Sequence, residues 1–230
     1  MSLESCFLQS GENILWIIRM NEIRNFTALV LLFLIFCLSV SAQEQEENNT
    51  FGGWEFFEVN HSFKNSNWYT TFYFEHANYQ YKRLESWYAR LIFGNKITSW
   101  LKTGFAYDFM QEPGYITHRA VAEVTGSLKQ GNLTVSLRER YIHSWSPEVD
   151  EWGNVLRSRL KVQYTIPESP FKPYLAMEVF TWDGWKKTRH YVGTACSINE
   201  HFEIEGYYVY YTFVNKPAEH VLGIGLNIAI

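Results

Sequence analysis

Long stretches in which apolar and polar residues alternate constrain this chain more than any other feature of its sequence. The last segment shows the pattern most clearly, because one of its faces carries Leu222, Ile224, Leu226, Ile228 and Ile230 while the other holds only small or polar residues. A period of two residues indicates a β-strand whose two faces meet different surroundings. No segment downstream of the N-terminal region keeps a helical period. The sequence therefore predicts an all-β protein.

The polar face of these segments is charged rather than merely hydrophilic. Between Leu156 and Ile166, for example, an apolar face opposes Arg157, Arg159 and Lys161. The segments are also longer than the ~5–6 residues typical of soluble sheets and match the ~9–11 residues that a tilted strand needs to cross a bilayer. We therefore predict a closed antiparallel transmembrane β-barrel, with lipid outside and charges inside.

Connections and tryptophans agree with this interpretation. Polar links that we predict to be short fall at 64–67, 94–96, 129–132 and 197–200, and longer ones at 111–114, 144–153 and 214–220. Short turns at one end and long loops at the other are typical of outer-membrane barrels. Tryptophans beside these connections predict two aromatic belts at the membrane interfaces, formed by Trp54, Trp68, Trp100, Trp145, Trp152, Trp182 and Trp185.

The number of strands follows from counting the alternating segments. The alternating segments begin near Trp54, Trp68, Glu85, Leu101, Ile116, Leu133, Val155, Pro173, Arg189, Phe202 and Val221. That is about eleven, whereas a barrel in which every neighbour is antiparallel needs an even number. We therefore expect about 10–12 strands, with one segment either false or missed.

An N-terminal leader precedes the strands. The apolar run Phe26–Val40 is shorter than the ~20 residues of a membrane-spanning helix, follows Arg24 and ends before a small-residue cleavage site at Ala42. These are the features of a signal peptide, and Met20 would be the better start. A signal anchor, or a lipoprotein modified at Cys37, is the alternative.

The expected organisation is a signal peptide at 1–42, a short N-terminal segment at 43–52 and an outer-membrane barrel at 53–230. A net charge of −4 argues against a nucleic-acid partner, and a mean hydropathy of −0.23 argues against a bundle of membrane helices. Past the leader only Cys196 remains, which excludes a disulfide scaffold. The expected partners are outer-membrane lipid and, during insertion, the barrel-assembly machinery, with the barrel a monomer in the outer membrane of a Gram-negative bacterium.

The inward faces of the predicted strands would fill a narrow lumen with charge. They supply Glu75, Arg90, Lys102, Asp108, Arg119, Glu123, Arg138, Arg140, Arg157, Arg159, Lys161, Glu178, Arg189, Glu203 and Glu205. Charges removed from bulk water must pair, so we predict an ion-pair network that plugs the lumen. In it, Glu178 would meet Arg157, Arg159 or Arg189. A small polar pore is the alternative.

Strict alternation aims one charged residue, Glu139, at lipid, because it lies between Arg138 and Arg140. We expect either a β-bulge or a position at the outer rim to remove it from the bilayer.

Catalytic motifs are absent from the sequence. It has no metalloprotease, nucleophile-elbow or phosphate-loop motif and no pair of metal-binding cysteines, so we predict no enzyme, cofactor or metal site. The polar residues His143, Ser144, Ser146 and Asp150 lie near one predicted rim. An outer-membrane hydrolase with a rim site is therefore an alternative, although neighbouring strand residues point to opposite faces.

Four runs resemble a known family. They are Arg157–Lys161 (RSRLK), Glu178–Phe180 (EVF), Arg189–Gly193 (RHYVG) and His220–Ile224 (HVLGI). They are similar to the domain-of-unknown-function 2490 family, over roughly Gly53–Ile230. The resemblance implies a bacterial outer-membrane β-barrel behind a signal peptide and brings no established activity.

The sequence thus predicts a structural or surface-interaction barrel with a charged, ion-paired lumen. The alternatives within the membrane are a narrow channel for small polar solutes and a rim hydrolase. A large lipocalin-like or sandwich protein with an apolar core is the alternative fold. It would place its charges outside, in contrast to the predicted inward set.

Overall fold

The structure is a computed structural model that describes residues 50–79, 83–181, 185–215 and 217–230. The predicted leader lies outside these residues. The strands are β1 (Thr50–Ser62), β2 (Trp68–Tyr79), β3 (Arg83–Lys96), β4 (Leu101–Glu112), β5 (Tyr115–Gln130), β6 (Leu133–Ser146), β7 (Glu151–Tyr164), β8 (Phe171–Thr181), β9 (Trp185–Ser197), β10 (Phe202–Phe213) and β11 (Glu219–Ala229). Within these ranges no helix is long and apolar enough to cross a membrane.

The eleven described strands form one closed barrel. Each strand pairs antiparallel with its neighbours in sequence, but β1 and β11 pair in parallel, from Thr50 opposite Glu219 to Asn60 opposite Ala229 without a register shift. The prediction that all neighbours are antiparallel, and with it the even strand number, is wrong. An odd number of alternating strands makes the first and last run in the same direction, so a parallel ladder closes the barrel.

Each described strand begins within four residues of its predicted start, but three of the predicted boundaries differ. β1 already begins at Thr50, so 50–52 belong to the barrel and not to the N-terminal segment. The predicted long connection at 144–153 is short, because β6 and β7 continue to a last pair of Ser146 with Glu151. β4 and β5 likewise leave only 113–114 between them. The long loops expected at 111–114 and 144–153 are therefore largely strand extensions stabilised by cross-strand pairs, whereas 214–218 remains a link between β10 and β11.

The two faces of the sheet have opposite polarity. Phe105 is 74% exposed and Leu128 is 70% exposed on the outside, whereas Arg90 and Glu178 are among the most buried side chains of the protein. A lipocalin-type interior would show the reverse arrangement. The charged face therefore points into the barrel.

Aromatic rings occupy the space above glycines on the inner face. A Cβ atom added to Gly225 would lie 2.0 Å from Phe56, and one added to Gly223 would lie 2.1 Å from Tyr207. Each glycine is the direct register partner of the aromatic residue that covers it. A ring can lie flat against the neighbouring backbone only where no side chain intervenes. The small residues of β11 thus make room for aromatic side chains that fill the lumen.

Candidate functional site: the charged lumen

The inner face brings together the fifteen residues predicted for the lumen. Most of them line two internal cavities of about 350 Å³ and 250 Å³. The remaining three, Asp108, Arg119 and Glu178, form ion pairs with one another or with arginines of that lining. Their alternation along each strand places them on the same face, and the closure of the sheet brings those faces together.

Glu178 on β8 is the centre of the larger ion cluster. Arg157 binds it with both ends of its guanidinium, Nε lying 2.7 Å from Oε1 and Nη2 donating to Oε2 at 2.8 Å. Arg189 and Arg138 lie farther away, at 3.6 Å and 3.4 Å, and Tyr191 donates its hydroxyl hydrogen at 3.1 Å. This buried carboxylate therefore balances arginines from three strands, β6, β7 and β9.

Asp108 on β4 forms a second, separate cluster. Arg90 donates from Nε and Nη2 to the two carboxylate oxygens, each at 2.6 Å, in a bidentate pair. Arg119 approaches from β5 with its Nε 3.0 Å from Oδ2. The carboxylate is inaccessible to solvent, as is nearly all of Arg90. Three consecutive strands are joined by this one acidic group.

Smaller pairs complete the network. Arg140 donates to Glu123 at 2.7 Å. Lys172 donates to Glu203 at 2.7 Å, and it was not among the predicted lumen residues. The alternation of β8 indicates its position, because Lys172 and Glu178 are an even number of residues apart in the strand and therefore share a face.

An aromatic layer, formed by Trp54, Phe180 and Tyr211, lies in the lumen near the end at which β1 begins. The Arg189 guanidinium carbon lies 4.4 Å from the ring centre of Trp54, 4.8 Å from that of Phe180 and 4.5 Å from that of Tyr211. These rings come from β1, β8 and β10 and are buried. Cation–π contacts on several sides hold the arginine between them. Trp54 is 7% exposed, so its assignment to an interface belt is wrong, because its position in β1 points inward.

Four of the other tryptophans predicted for the belts are exposed at the two ends of the barrel. Trp68 and Trp100 are exposed near one end of the barrel, and Trp145 and Trp152 are exposed near the other, where they stack with ring centres 5.6 Å apart. Trp182 and the side chain of Trp185 lie outside the described residues.

Histidines that were not predicted as part of a belt lie on the outer face beside these rings. His118 stands against Trp145 with ring centres 5.8 Å apart, and its Nδ1 lies 2.6 Å from the Tyr107 hydroxyl oxygen. His143 lies against Trp152 at 5.4 Å. The sequence could have predicted this position, because the two histidines alternate with the inward charges of β5 and β6 and must therefore face outward.

Glu139 lies on the outer face of β6, in the middle of the strand. The β5–β6 and β6–β7 ladders run without a register shift, so neither the expected bulge nor the expected rim position occurs. Its carboxylate accepts a hydrogen bond of 2.5 Å from the Ser158 hydroxyl of β7. The outward carboxylate is therefore partly satisfied by a neighbouring outward hydroxyl.

The polar rim residues do not assemble into a catalytic set. His143 faces outward and hydrogen-bonds Asn154 at 2.8 Å, whereas Ser146 faces inward and hydrogen-bonds Thr117 at 2.8 Å. Ser144 donates to the Gly153 carbonyl at 3.3 Å. Among the described residues no group of three histidine, cysteine, aspartate or glutamate side chains could hold a metal ion.

These features define a class of protein: a closed eleven-stranded β-barrel with apolar side chains outside and an ion-paired, aromatic-filled lumen. Residues 51–221 match the family described as protein of unknown function (DUF2490). The chain belongs to that family, which confirms the resemblance carried by its arginine-alternating strands.

Three comparisons with solved structures accompany this match. The chain is similar to the NanC porin in a rhombohedral crystal form, with 12% identity, a TM-score of 0.46 and coverage of 70% of this chain and 81% of that chain. It is also similar to the KdgM porin, alone and in complex with disordered oligogalacturonate, each with 12% identity, a TM-score of 0.47 and coverage of 73% and 87%. No curated protein matches the chain.

Proposed function

We propose that this protein is an outer-membrane β-barrel with a structural role, whose lumen is closed to free diffusion and retains a polar cavity. The observation that carries the proposal is the reversed polarity of the barrel. Large apolar side chains such as Leu91, Phe105 and Ile224 are more than half exposed on the outside. A barrel with such a surface is stable in lipid and would aggregate in water.

The rims support the same location. Trp68 stacks on Phe93 near one end, with ring centres 4.9 Å apart, and Trp145 stacks on Trp152 near the other. Amphipathic rings prefer the headgroup region of a bilayer. The short link at 147–150 favours the structural role over binding through long surface loops.

Closure of the lumen is supported by its contents. The Asp108 and Glu178 clusters place buried ion pairs in the lumen, and Trp54, Phe180 and Tyr211 surround Arg189 near one end. A hydrated solute would have to displace a paired guanidinium to pass. The two cavities favour a second candidate, a narrow channel for small polar solutes.

Location and closure of the barrel are tested together by heat-modifiability on a gel. We expect the protein in the isolated outer-membrane fraction, with an unboiled band that migrates differently from the boiled one, because closed barrels resist detergent until heated. A soluble periplasmic protein without this shift would contradict the proposal.

Conductance in planar bilayers distinguishes the closed barrel from the channel. We expect no discrete conductance steps for the wild type and steps for the double variant Trp54→Ala/Phe180→Ala, which removes two rings of the aromatic layer. Trp68→Ala on the outer face is the matched control and should remain silent. Discrete steps in the wild type would establish the channel instead.

Glu139 provides a test of the lipid-facing surface. Glu139→Leu should stabilise the barrel by about 1 kcal/mol, because it removes a carboxylate from an otherwise apolar outer face. The free energy of unfolding in lipid vesicles measures the effect, with Glu200→Leu in an exposed link as control. A loss of stability in Glu139→Leu would instead mean that this carboxylate faces a polar environment.

A further inference from the structure

Basic side chains of β6 and β7 separate the two lumen cavities and line both of them. They are Arg138, Arg140, Arg159 and Lys161. The smaller cavity is lined by five basic side chains and two carboxylates, Glu58 and Glu123. Since Glu123 already binds Arg140 at 2.7 Å, the cavity wall carries an excess of positive charge.

The register of β6 and β7 adds electrostatic repulsion between these basic side chains. Arg138 lies directly opposite Arg159, and Arg140 lies directly opposite Arg157. Like charges at directly opposed positions destabilise a sheet. Arg140 and Arg157 each have a close carboxylate partner, in Glu123 and Glu178.

The other opposed pair is less well compensated. Arg138 reaches Glu178 only at 3.4 Å and shares it with Arg157, whose Nε lies closer, at 2.7 Å. No described carboxylate lies within 4.0 Å of the Arg159 guanidinium. Its Nε is buried and has no hydrogen-bond partner among the described residues. Its guanidinium carbon lies 4.9 Å from the ring centre of Tyr191. A buried donor without a partner costs free energy unless a ligand or water satisfies it.

Lysines extend the same wall. Lys161 lies at the distance limit of an ion pair, 4.0 Å from Glu205, and Lys102 makes no ion pair with a described carboxylate. Lys102 lines the smaller cavity and is itself exposed. The cavity therefore reaches solvent at the end of the barrel where β4 begins.

We propose that the smaller cavity binds a small oxyanion, a carboxylate or a phosphate, between Arg138, Arg159 and Lys161. Guanidinium forks match the two oxygens of either group, and the anion would relieve the repulsion between the opposed arginines. The volume of about 250 Å³ admits a small molecule only. This inference goes beyond the structural role proposed above. It requires the folded, closed barrel, but it does not require that the barrel lies in the outer membrane.

Titration calorimetry on the full chain in detergent micelles, at constant ionic strength, tests the site. The probes are inorganic phosphate, glucuronate and neutral glucose. We expect at least one charged probe to bind and glucose not to bind. Binding of phosphate alone, or of glucuronate alone, identifies which oxyanion the site prefers.

Variants connect the binding to these residues. Arg159→Gln and Lys161→Gln should each weaken the binding at least tenfold, whereas Lys64→Gln in the exposed β1–β2 link should leave it unchanged. Lys161→Gln carries the test if Arg159→Gln fails to fold. Wild-type protein that binds neither charged probe, or Gln variants that bind as tightly as the wild type, would overturn the proposal.

Discussion

Glu178→Gln is expected to destabilise the barrel by about 3–5 kcal/mol, one of the two largest effects proposed for this protein. The substitution removes the only carboxylate within 4.0 Å, among described residues, of Arg157, Arg189 and Arg138. Three arginines would then remain close together in a lumen largely removed from water. Removing one partner of a buried ion pair leaves the other charge buried and uncompensated, so that no attraction offsets the free-energy cost of its desolvation.

The measurement is the free energy of unfolding in denaturant, followed by tryptophan fluorescence in detergent micelles or vesicles. Glu200→Gln is the matched control, because this glutamate is exposed in the β9–β10 link and its ion pair among the described residues is with the exposed His201, at 3.5 Å. We expect the control to change stability by less than about 0.5 kcal/mol. A loss of less than about 1 kcal/mol in Glu178→Gln would show that water in the lumen already solvates the arginines of this cluster.

Asp108→Asn should cost a similar amount, about 3–5 kcal/mol. Arg90 would keep its charge while its bidentate partner, now at 2.6 Å on both oxygens, loses its own. Arg119 would lose its partner as well. Because Arg90 is almost inaccessible to solvent, water cannot replace the carboxylate.

A double variant separates the value of the pair from the penalty of breaking it. Arg90→Met/Asp108→Leu should recover most of the stability lost in Asp108→Asn, because both buried charges are removed together and the volume is kept. Unfolding free energies of the wild type, Arg90→Met, Asp108→Leu and the double variant give the coupling between the two residues. A double variant as unstable as Asp108→Asn would mean that the pair itself, or Arg119, determines the stability.

The alternation of residues predicted the strands well for a physical reason. A strand between lipid and a charged lumen meets two opposite environments, so every second residue carries the same constraint. The start of β6 at Leu133 and of β10 at Phe202 coincide with the predicted positions. Strand ends were less well predicted at 144–153, because Trp145 and Trp152 fit an interface loop and a cross-strand pair equally well.

Residues with ambiguous chemistry were harder to place. Trp54 fits a membrane interface by type, yet its parity with Phe56 and Glu58 puts it in the lumen. Glu139 fits a lumen by type, yet its parity puts it outside with Ser158. Parity determined both positions, since no bulge interrupts those ladders.

The sequence by itself determined the all-β class, the approximate strand positions and which side chains share a face, because each of these follows from a local period of two residues. Only the tertiary structure decided the parallel closure of β1 on β11, the pairing of Asp108 with Arg90 and of Glu178 with Arg157, and the absence of any described carboxylate within 4.0 Å of Arg159. These features depend on which strands become neighbours and on their register. The local pattern fixes which residues can share a face, but it does not select the partner strand or the exact register, since in a closed sheet contacts between residues far apart in the chain fix both.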